Sequence, residues 1–278
     1  MDAAQGRHPA RIAVLGSGTR GSVLPPHLAA RADHAAIPVL YTTRLAAFAG
    51  NPYDRLAVDL AYVDMAQRAE ADGCAALFIN TYADYGIEAM RAVVSIPVIG
   101  AGENAMTIAA EDGRRFSIVT VWPPSMKFLY DERTRNVAAG AACLKVRHVS
   151  DEAELQRLSA EDGVQGRMAR AEDAIIDRIV RECEHAITED GAQAIVLGCT
   201  CMAPVGPRIA ARVNVPVVEG ARAGYQAAVS AALHRPAVPS GPRTVRASLI
   251  PSIIDAYVGA NPGAVQAKAK EACPVCVS

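Results

Sequence analysis

The 278-residue sequence is short of charge imbalance, of aromatic residues and of long apolar runs, and each shortage excludes something. Lys and Arg number 28 against 29 Asp and Glu, for a formal net charge of −1. That balance leaves no electrostatic footprint for nucleic acid or an anionic membrane surface. No stretch approaches the ~20 apolar residues of a membrane span. Met1–Ala10 lacks the apolar core of a signal peptide, so a cytoplasmic protein is expected. The single Trp and four Phe, set among many alanines, point to close packing of helices on sheets. Seven cysteines is an odd number in a chain too long to need stapling, so reduced thiols are expected. Cys273 and Cys276 make one C-x-x-C at the end of the chain, with no second pair at finger spacing; no metal site is read from them. The six histidines (His8, His27, His34, His148, His185, His234) are scattered and none pairs in sequence with Cys199. A Cys–His nucleophile therefore has no support from spacing, although such groups assemble in space.

What is present is a repeat. In Asp190–Met202, DGAQAIVLGCTCM, a short apolar run flows into Gly198 and Cys199. Such a run, bounded by turn residues, reads as a strand buried on both faces of a parallel sheet. Gly198 is expected to let the chain turn at the strand's carboxyl end, where open α/β sheets place their ligand sites. Asp72–Asp84, DGCAALFINTYAD, repeats the pattern 118 residues earlier, with Leu77-Phe78-Ile79 matching Ile195-Val196-Leu197 and Thr81 falling on Cys199. With one residue of slip, Ile96–Ile99 answers Val215–Val218, and Arg11–Leu15 answers Arg115–Val119. The chain reads as two copies of one α/β unit.

Strands are expected at Arg11–Leu15, Pro38–Tyr41, the run before Thr81, and Pro97–Gly100, then at Arg115–Thr120, Leu144–Val149, the run before Cys199, and Pro216–Val218. Helices fall between them, near Pro26–Ala32, Asp54–Ala71, Ile87–Val94, Met126–Ala138, Ala171–Glu189 and Pro207–Val213. Asp54 is the expected N-cap of the second of these, with Leu56, Leu60 and Val63 on one face. Ser150–Gly166 reads as a solvated charged stretch, Arg222–Leu233 as a helix, Arg235–Pro242 as a linker and Leu249–Val258 as an apolar piece of the extension. Strands alternating with helices give an α/β class with two Rossmann-like (flavodoxin-like) parallel sheets. The expected division is 11–103 plus about 219–235, then 104–218, with 236–278 as linker and extension.

Gly16, Gly18 and Gly21 meet the G-x-G-x-x-G spacing, but Pro25-Pro26 interrupts the helix that a dinucleotide site needs and no acidic residue closes the next strand. The loop reads as a tight turn whose amides face a cleft, and no cofactor is expected. Cys199 is the strongest chemical candidate. A buried cysteine often only fills space, but one at a helix start has its thiol pKa lowered from ~8.5. The amides around Thr200-Cys201 and Tyr82-Ala83 form a cradle for a carboxylate or oxyanion. Cys201, two residues on, reads as packing, with a second thiol in the cleft as the alternative.

IAVLGSGT at Ile12–Thr19, NPYDRLAVDLAYVD at Asn51–Asp64, ADYG at Ala83–Gly86 and IPVIGAGENAM at Ile96–Met106 extend this pattern. So do FSIVT at Phe116–Thr120, DGAQAIVLGCTCM at Asp190–Met202 and VPVVEG at Val215–Gly220. Together they resemble the aspartate/glutamate/hydantoin racemase superfamily, in its hydantoin and allantoin racemase branch, over roughly residues 11–235. The resemblance implies two pseudo-symmetric domains, a cofactor-free site between them and a thiol from each domain on opposite faces of the substrate's α-carbon. Cys199 takes the place of the second thiol; Thr81 stands where the first would be, and a hydroxyl is far too weak a base for that work. The sequence also departs from glutamate racemases at Gly16, where they carry an acid, and at Cys201, where they carry histidine. A helping acid or base would come from elsewhere, such as Asp84 or Glu219.

The implied site has Cys199 and Thr81 as its reacting pair. Gly16, Ser17, Gly18, Thr43, Asn80 and Tyr82 of the first unit, with Thr120, Trp122 and Thr200 of the second and Glu219 where the chain returns to the first, hold the substrate. The loop Phe48–Tyr53 and Trp122-Pro123 shape its side chain. Three readings follow. The first is a racemase or isomerase moving a proton at a carbon next to a carboxylate, amide or imide. The second is a one-thiol decarboxylase that protonates an enediolate on one face. The third is a catalytically idle relative that binds the same ligands. The implied partner is a small carboxylate or cyclic imide or ureide, with no nucleic acid or membrane, and a homo-oligomer is expected.

Overall fold

The computed structural model describes residues 8–16, 24–33, 35–45, 47–157, 162–234 and 247–261. Its apolar runs become two parallel sheets. β1 (Ala10–Leu15), β2 (Ala36–Tyr41), β3 (Ala76–Ile79) and β4 (Val98–Gly100) pair in the order β2-β1-β3-β4. β5 (Phe116–Thr120), β6 (Cys143–His148), β7 (Ala194–Leu197) and β8 (Val217–Glu219) pair in the order β6-β5-β7-β8. Every residue of β3, β5 and β7 is buried, as expected where helices cover both faces of a parallel sheet.

The sequence repeat is a structural one. Leu15 pairs with Ile79 as Val119 pairs with Leu197, and Ile79 with Gly100 as Leu197 with Glu219. Gly73 and Gly191 both enter their strands from the left-handed region, at φ 80° and 72°, where a side chain is disfavoured. The aspartates before them hold neighbouring strands in matching ways. Asp72 accepts from the Tyr41 hydroxyl at 2.8 Å, and Asp190 from the Ser117 hydroxyl at 3.0 Å and Arg147 Nε at 2.7 Å.

The first unit carries α1 (Pro26–Ala29), α2 (Pro52–Ala71), α3 (Ile87–Val93) and α4 (Ala101–Ala109). The second carries α5 (Lys127–Asn136), α6 (Glu152–Gln156), α7 (Val164–Ala169), α8 (Asp173–Thr188) and α9 (Gly206–Ala210). Next come α10 (Gly220–His234) and α11 (Leu249–Ala260). α2 starts earlier than its sequence suggests. Asn51, not Asp54, is its cap, accepting from Tyr53 N and Asp54 N with Pro52 in the first turn. Its buried face is Val58, Ala61, Tyr62, Met65 and Ala69, while Leu56 is 62% exposed. α4 has no counterpart in the sequence reading. The stretch 150–166 is not solvated throughout either: it contains α6, closed by a capping box between Asp151 and Glu154, and its Ser150, Val164 and Gln165 are buried.

Two features tie the units together. Arg133 of α5, 1% exposed, reaches Asp84 at 3.3 Å and Glu88 at 3.1 Å, while Asp84 accepts from Gly102 N and Glu103 N at the start of α4. α10 follows the second sheet in sequence yet packs on the first, with Tyr225 edge-on to Phe78 and Ala228 and Ala232 clustered with Ile12 and Val14. α11, the apolar piece of the extension, lies against α2. The linker Arg235–Pro242, His34, Cys273 and Cys276 lie outside the described residues. No described helix is long and apolar enough to cross a membrane.

Candidate active site

The carboxyl ends of the two sheets meet at a partly open cavity of about 80 Å³. The first unit gives Ala47, Phe48, Ala49, Val58, Thr81, Tyr82, Ala83 and Tyr85; the second gives Trp122, Met126, Leu129, Tyr130, Gly198, Cys199 and Thr200. Thr81 and Cys199 thus line one space from opposite units. Among the described residues, no charged side chain belongs to the lining.

Cys199 is placed by the end of β7. Gly198 N donates to Val119 O at 2.8 Å. Glycine is required here for room rather than for the turn: a Cβ would sit 2.8 Å from Ile118 Cγ2, 2.9 Å from Thr120 Cβ and 3.0 Å from Tyr130 Cε1. Cys199 then caps a 3₁₀ turn, Thr200–Met202, and its Sγ accepts from Cys201 N at 3.2 Å. The turn brings the two Cα atoms to 5.1 Å, within disulfide range, and Cys199 and Cys201 are bridged. The expectation of reduced thiols fails at this pair, and Cys201 is more than packing. Spacing alone did not show it, because it is the 3₁₀ turn after β7 that brings the two residues together.

The first unit repeats this backbone with different side chains. Asn80 N donates to Leu15 O at 3.0 Å, matching Gly198. Across the cleft Thr200 Oγ1 donates to Asn80 O at 3.0 Å. Asn80 Oδ1, Thr81 Oγ1 and Tyr82 OH are buried without a hydrogen-bond partner, a costly state for polar atoms unless something polar joins them. Burial pushes the Tyr82 phenol well above its ordinary value. Its ring lies 5.3 Å from that of Tyr130, whose hydroxyl donates to Gly198 O at 2.8 Å and shares a 2.5 Å bond with Thr120 Oγ1. Phe48 and Trp122 stand with ring centroids 5.7 Å apart.

Of the residues singled out from sequence, Cys199, Thr81, Tyr82, Trp122 and Thr200 line the cavity, and Asn80 and Thr120 stand directly behind its wall. Gly16 ends β1, donating to Tyr41 O, and Thr43 closes a local turn with Leu45; neither belongs to the lining. Ser17 and Gly18 lie outside the described residues. Glu219 is elsewhere. Its oxygens accept from Ala221 N and Arg222 N at the start of α10, in a separate groove with His27 and Arg31. Burial raises its pKa. Asp84 is also outside the cavity, buried beneath α4. Neither carboxylate is placed to help at the cleft. The sequence reading missed Val58, Tyr85, Met126, Leu129 and Tyr130. The last three recur at helical spacing, which reads as ordinary core. No group of three or more His, Cys, Asp or Glu side chains among the described residues is gathered for a metal.

The model of the family described as Asp/Glu/Hydantoin racemase matches residues 25–228. The chain belongs to this family. The hydantoin racemase of Rhizobium meliloti is 35% identical over 162 residues, covering 58% of this chain and 62% of the relative; the match thus spans less than two thirds of that relative's length. Allantoin racemase from Klebsiella pneumoniae superposes with a TM-score of 0.70 at 21% identity, over 84% of this chain and 94% of its own. A ligand-bound variant of arylmalonate decarboxylase superposes at 0.59 with 21% identity, over 81% of this chain and 92% of its own. At these identities the solved structures show the shared fold, while the family itself rests on the family model's match.

Proposed function

We propose that the protein moves a proton at the carbon beside the carbonyl of a neutral cyclic imide or ureide. Reduced Cys199 is the acid–base group, and the Thr81 and Tyr82 hydroxyls are donors to the developing enolate oxygen. The observation that carries this is the lining: a cysteine on one wall, unpartnered hydroxyls on the other, and apolar or aromatic surface elsewhere. A free amino acid would bring an ammonium and a carboxylate into a space whose described lining holds no charged partner for either, at a large desolvation cost. An imide ring asks only for hydrogen bonds, and Phe48, Val58, Met126, Leu129 and Trp122 suit an apolar substituent. The name of the Rhizobium relative fits this class. The same reading divides the chain near 103/104, with 219–235 returning to the first unit and 236–278 beyond.

In the reaction the Cys199 thiolate takes the α-proton and the bonding pair moves into the carbonyl as an enolate. The hydroxyls stabilise the oxygen, and the thiol returns a proton. The face opposite Cys199 has no thiol, because Thr81 stands there. Exchange of the α-hydrogen in one enantiomer should therefore outrun inversion. The test incubates reduced protein in deuterated water with 5-substituted hydantoins, free amino acids and arylmalonates. Deuterium entry into one hydantoin enantiomer is the expected result; turnover of amino acids alone would overturn the reading. The absence of a second thiol at position 81 also favours a decarboxylase, which needs to protonate one face only. Against it, a malonate brings two carboxylates to a lining that holds no cation among the described residues; release of CO₂ from the arylmalonate arm would establish it.

A further inference from the structure

We infer that Cys199 is a redox modification site and that Cys201 is its resolving thiol, so that peroxide switches the enzyme off and a dithiol switches it on again. The inference rests on the acid–base role given to Cys199 above. Its geometry does not.

The two sulfurs occupy different places. Cys199 is part of the cavity wall, whereas Cys201 is 2% exposed, packed in the second unit's core and absent from the lining. A solute entering the cavity meets Cys199 first, and Cys201 is reached through it. The turn that sets them side by side is pinned from the other unit, since Thr200, the residue between them, donates to Asn80 O. In the bridged form Cys201 N donates to Cys199 Sγ, so the sulfur that reduction frees already has an amide N–H beside it, and thiolate character governs attack on peroxide. The other described cysteines differ. Burial raises the Cys74 thiol, pushes Cys143 up to about 11 and pushes Cys183 up to about 12. They are poor nucleophiles near neutrality.

The chemistry balances. The Cys199 thiolate attacks one oxygen of hydrogen peroxide, the O–O bond breaks, and Cys199 sulfenic acid and hydroxide result. The Cys201 thiol then attacks that sulfur and the S–O bond breaks; water leaves and the disulfide forms. A dithiol reverses the bridge by two exchange steps, becoming a cyclic disulfide while both cysteines regain their protons. The bridged form has no thiol at the α-carbon, so turnover stops. Bridging also halts the ladder before sulfinic acid, from which a dithiol gives no return.

The test titrates reduced, reductant-free full-length protein with hydrogen peroxide. It follows turnover, intact mass under non-reducing conditions and peptide maps. Wild type should lose two hydrogens in mass, yield a single linked peptide holding Cys199 and Cys201, fall in turnover by at least ~10²-fold and recover fully with dithiothreitol. Cys201→Ser should be active before peroxide, then lose activity without dithiol rescue as Cys199 gains two oxygens and becomes sulfinic acid. Wild type that behaves like Cys201→Ser, or a bridge from Cys199 to another cysteine, would overturn the assignment. The mapping needs no substrate and so separates the two claims. A bridge formed with turnover intact would overturn the switch by removing Cys199 from the chemistry.

Discussion

The ends of β3 and β7 are the same backbone in two chemistries. Asn80 and Gly198 make the same bond to the neighbouring strand, and the next residues, Thr81 and Cys199, line one cavity. The differences follow from what stands behind each. Behind Gly198 are Ile118, Thr120 and Tyr130, which leave no room for a Cβ; Asn80 has that room and offers its carbonyl to Thr200. Three residues further on the chain diverges again. Asp84 sits at φ 46° and caps α4, whereas its counterpart Met202 is buried in the second unit's core. A duplicated strand end has become a cysteine side and a hydroxyl side, and the proposed mechanism divides proton transfer and oxyanion stabilisation between them.

The largest break in this comparison should come from removing the thiol. Cys199→Ala is expected to lower turnover by ~10²–10⁴, the usual worth of an acid–base group, with an unchanged circular dichroism spectrum. An equal loss in Cys201→Ala under reducing conditions would shift the chemistry to that thiol. Thr81→Ala should cost kcat up to ~10²–10³, the range for one oxyanion donor, and Thr81→Ser should keep most of the activity. Silence in both variants would make position 81 packing. Thr81→Cys sharpens the comparison by making the two ends alike: inversion should rise relative to exchange, read as deuterium entering both enantiomers.

The remaining effects are on stability. Gly198→Ala should cost about 1–3 kcal/mol by overpacking against Tyr130 and Thr120, read as a lower denaturation midpoint at unchanged m-value. For Asp84, burial pushes the carboxyl up to about 7, although Arg133 and the two α4 amides pull it down. A folded value above the unfolded ~3.9 means that the native state holds more protons, so this contribution is present at low pH and is lost as pH rises through about 7. Wild-type Tm should therefore fall relative to Asp84→Asn between pH 4 and pH 8. A constant offset would show that Arg133 keeps Asp84 ionised throughout.

The two sheets, their order of elements and the pairing of Thr81 with Cys199 were legible because buried strands leave short apolar runs and the duplication printed them twice. α4 was not legible, because AGENAMTIA follows β4 without a turn and its cap is supplied from afar by Asp84. Tyr130 was hidden among helical core positions; only its 2.8 Å bond to Gly198 O shows its part in the site. Glu219 misled because it stands at a strand's carboxyl end, as ligands' partners do, yet the helix that follows at once takes both of its oxygens. The bridge of Cys199 to Cys201 depends on a 3₁₀ turn that no periodicity announces.

The packing of α10 on the first sheet sets a timetable for synthesis. β1, β2, β3 and β4 leave the ribosome first, but the face carrying Ile12, Val14 and Phe78 has only Leu28 and Ala101 over it until Tyr225 and Ala228 emerge. The second unit, whose strands and α8 lie wholly within 116–219, has its own cover by then. The half made first is thus the half finished last. A chain ending between residues 110 and 219 would leave that face only partly covered.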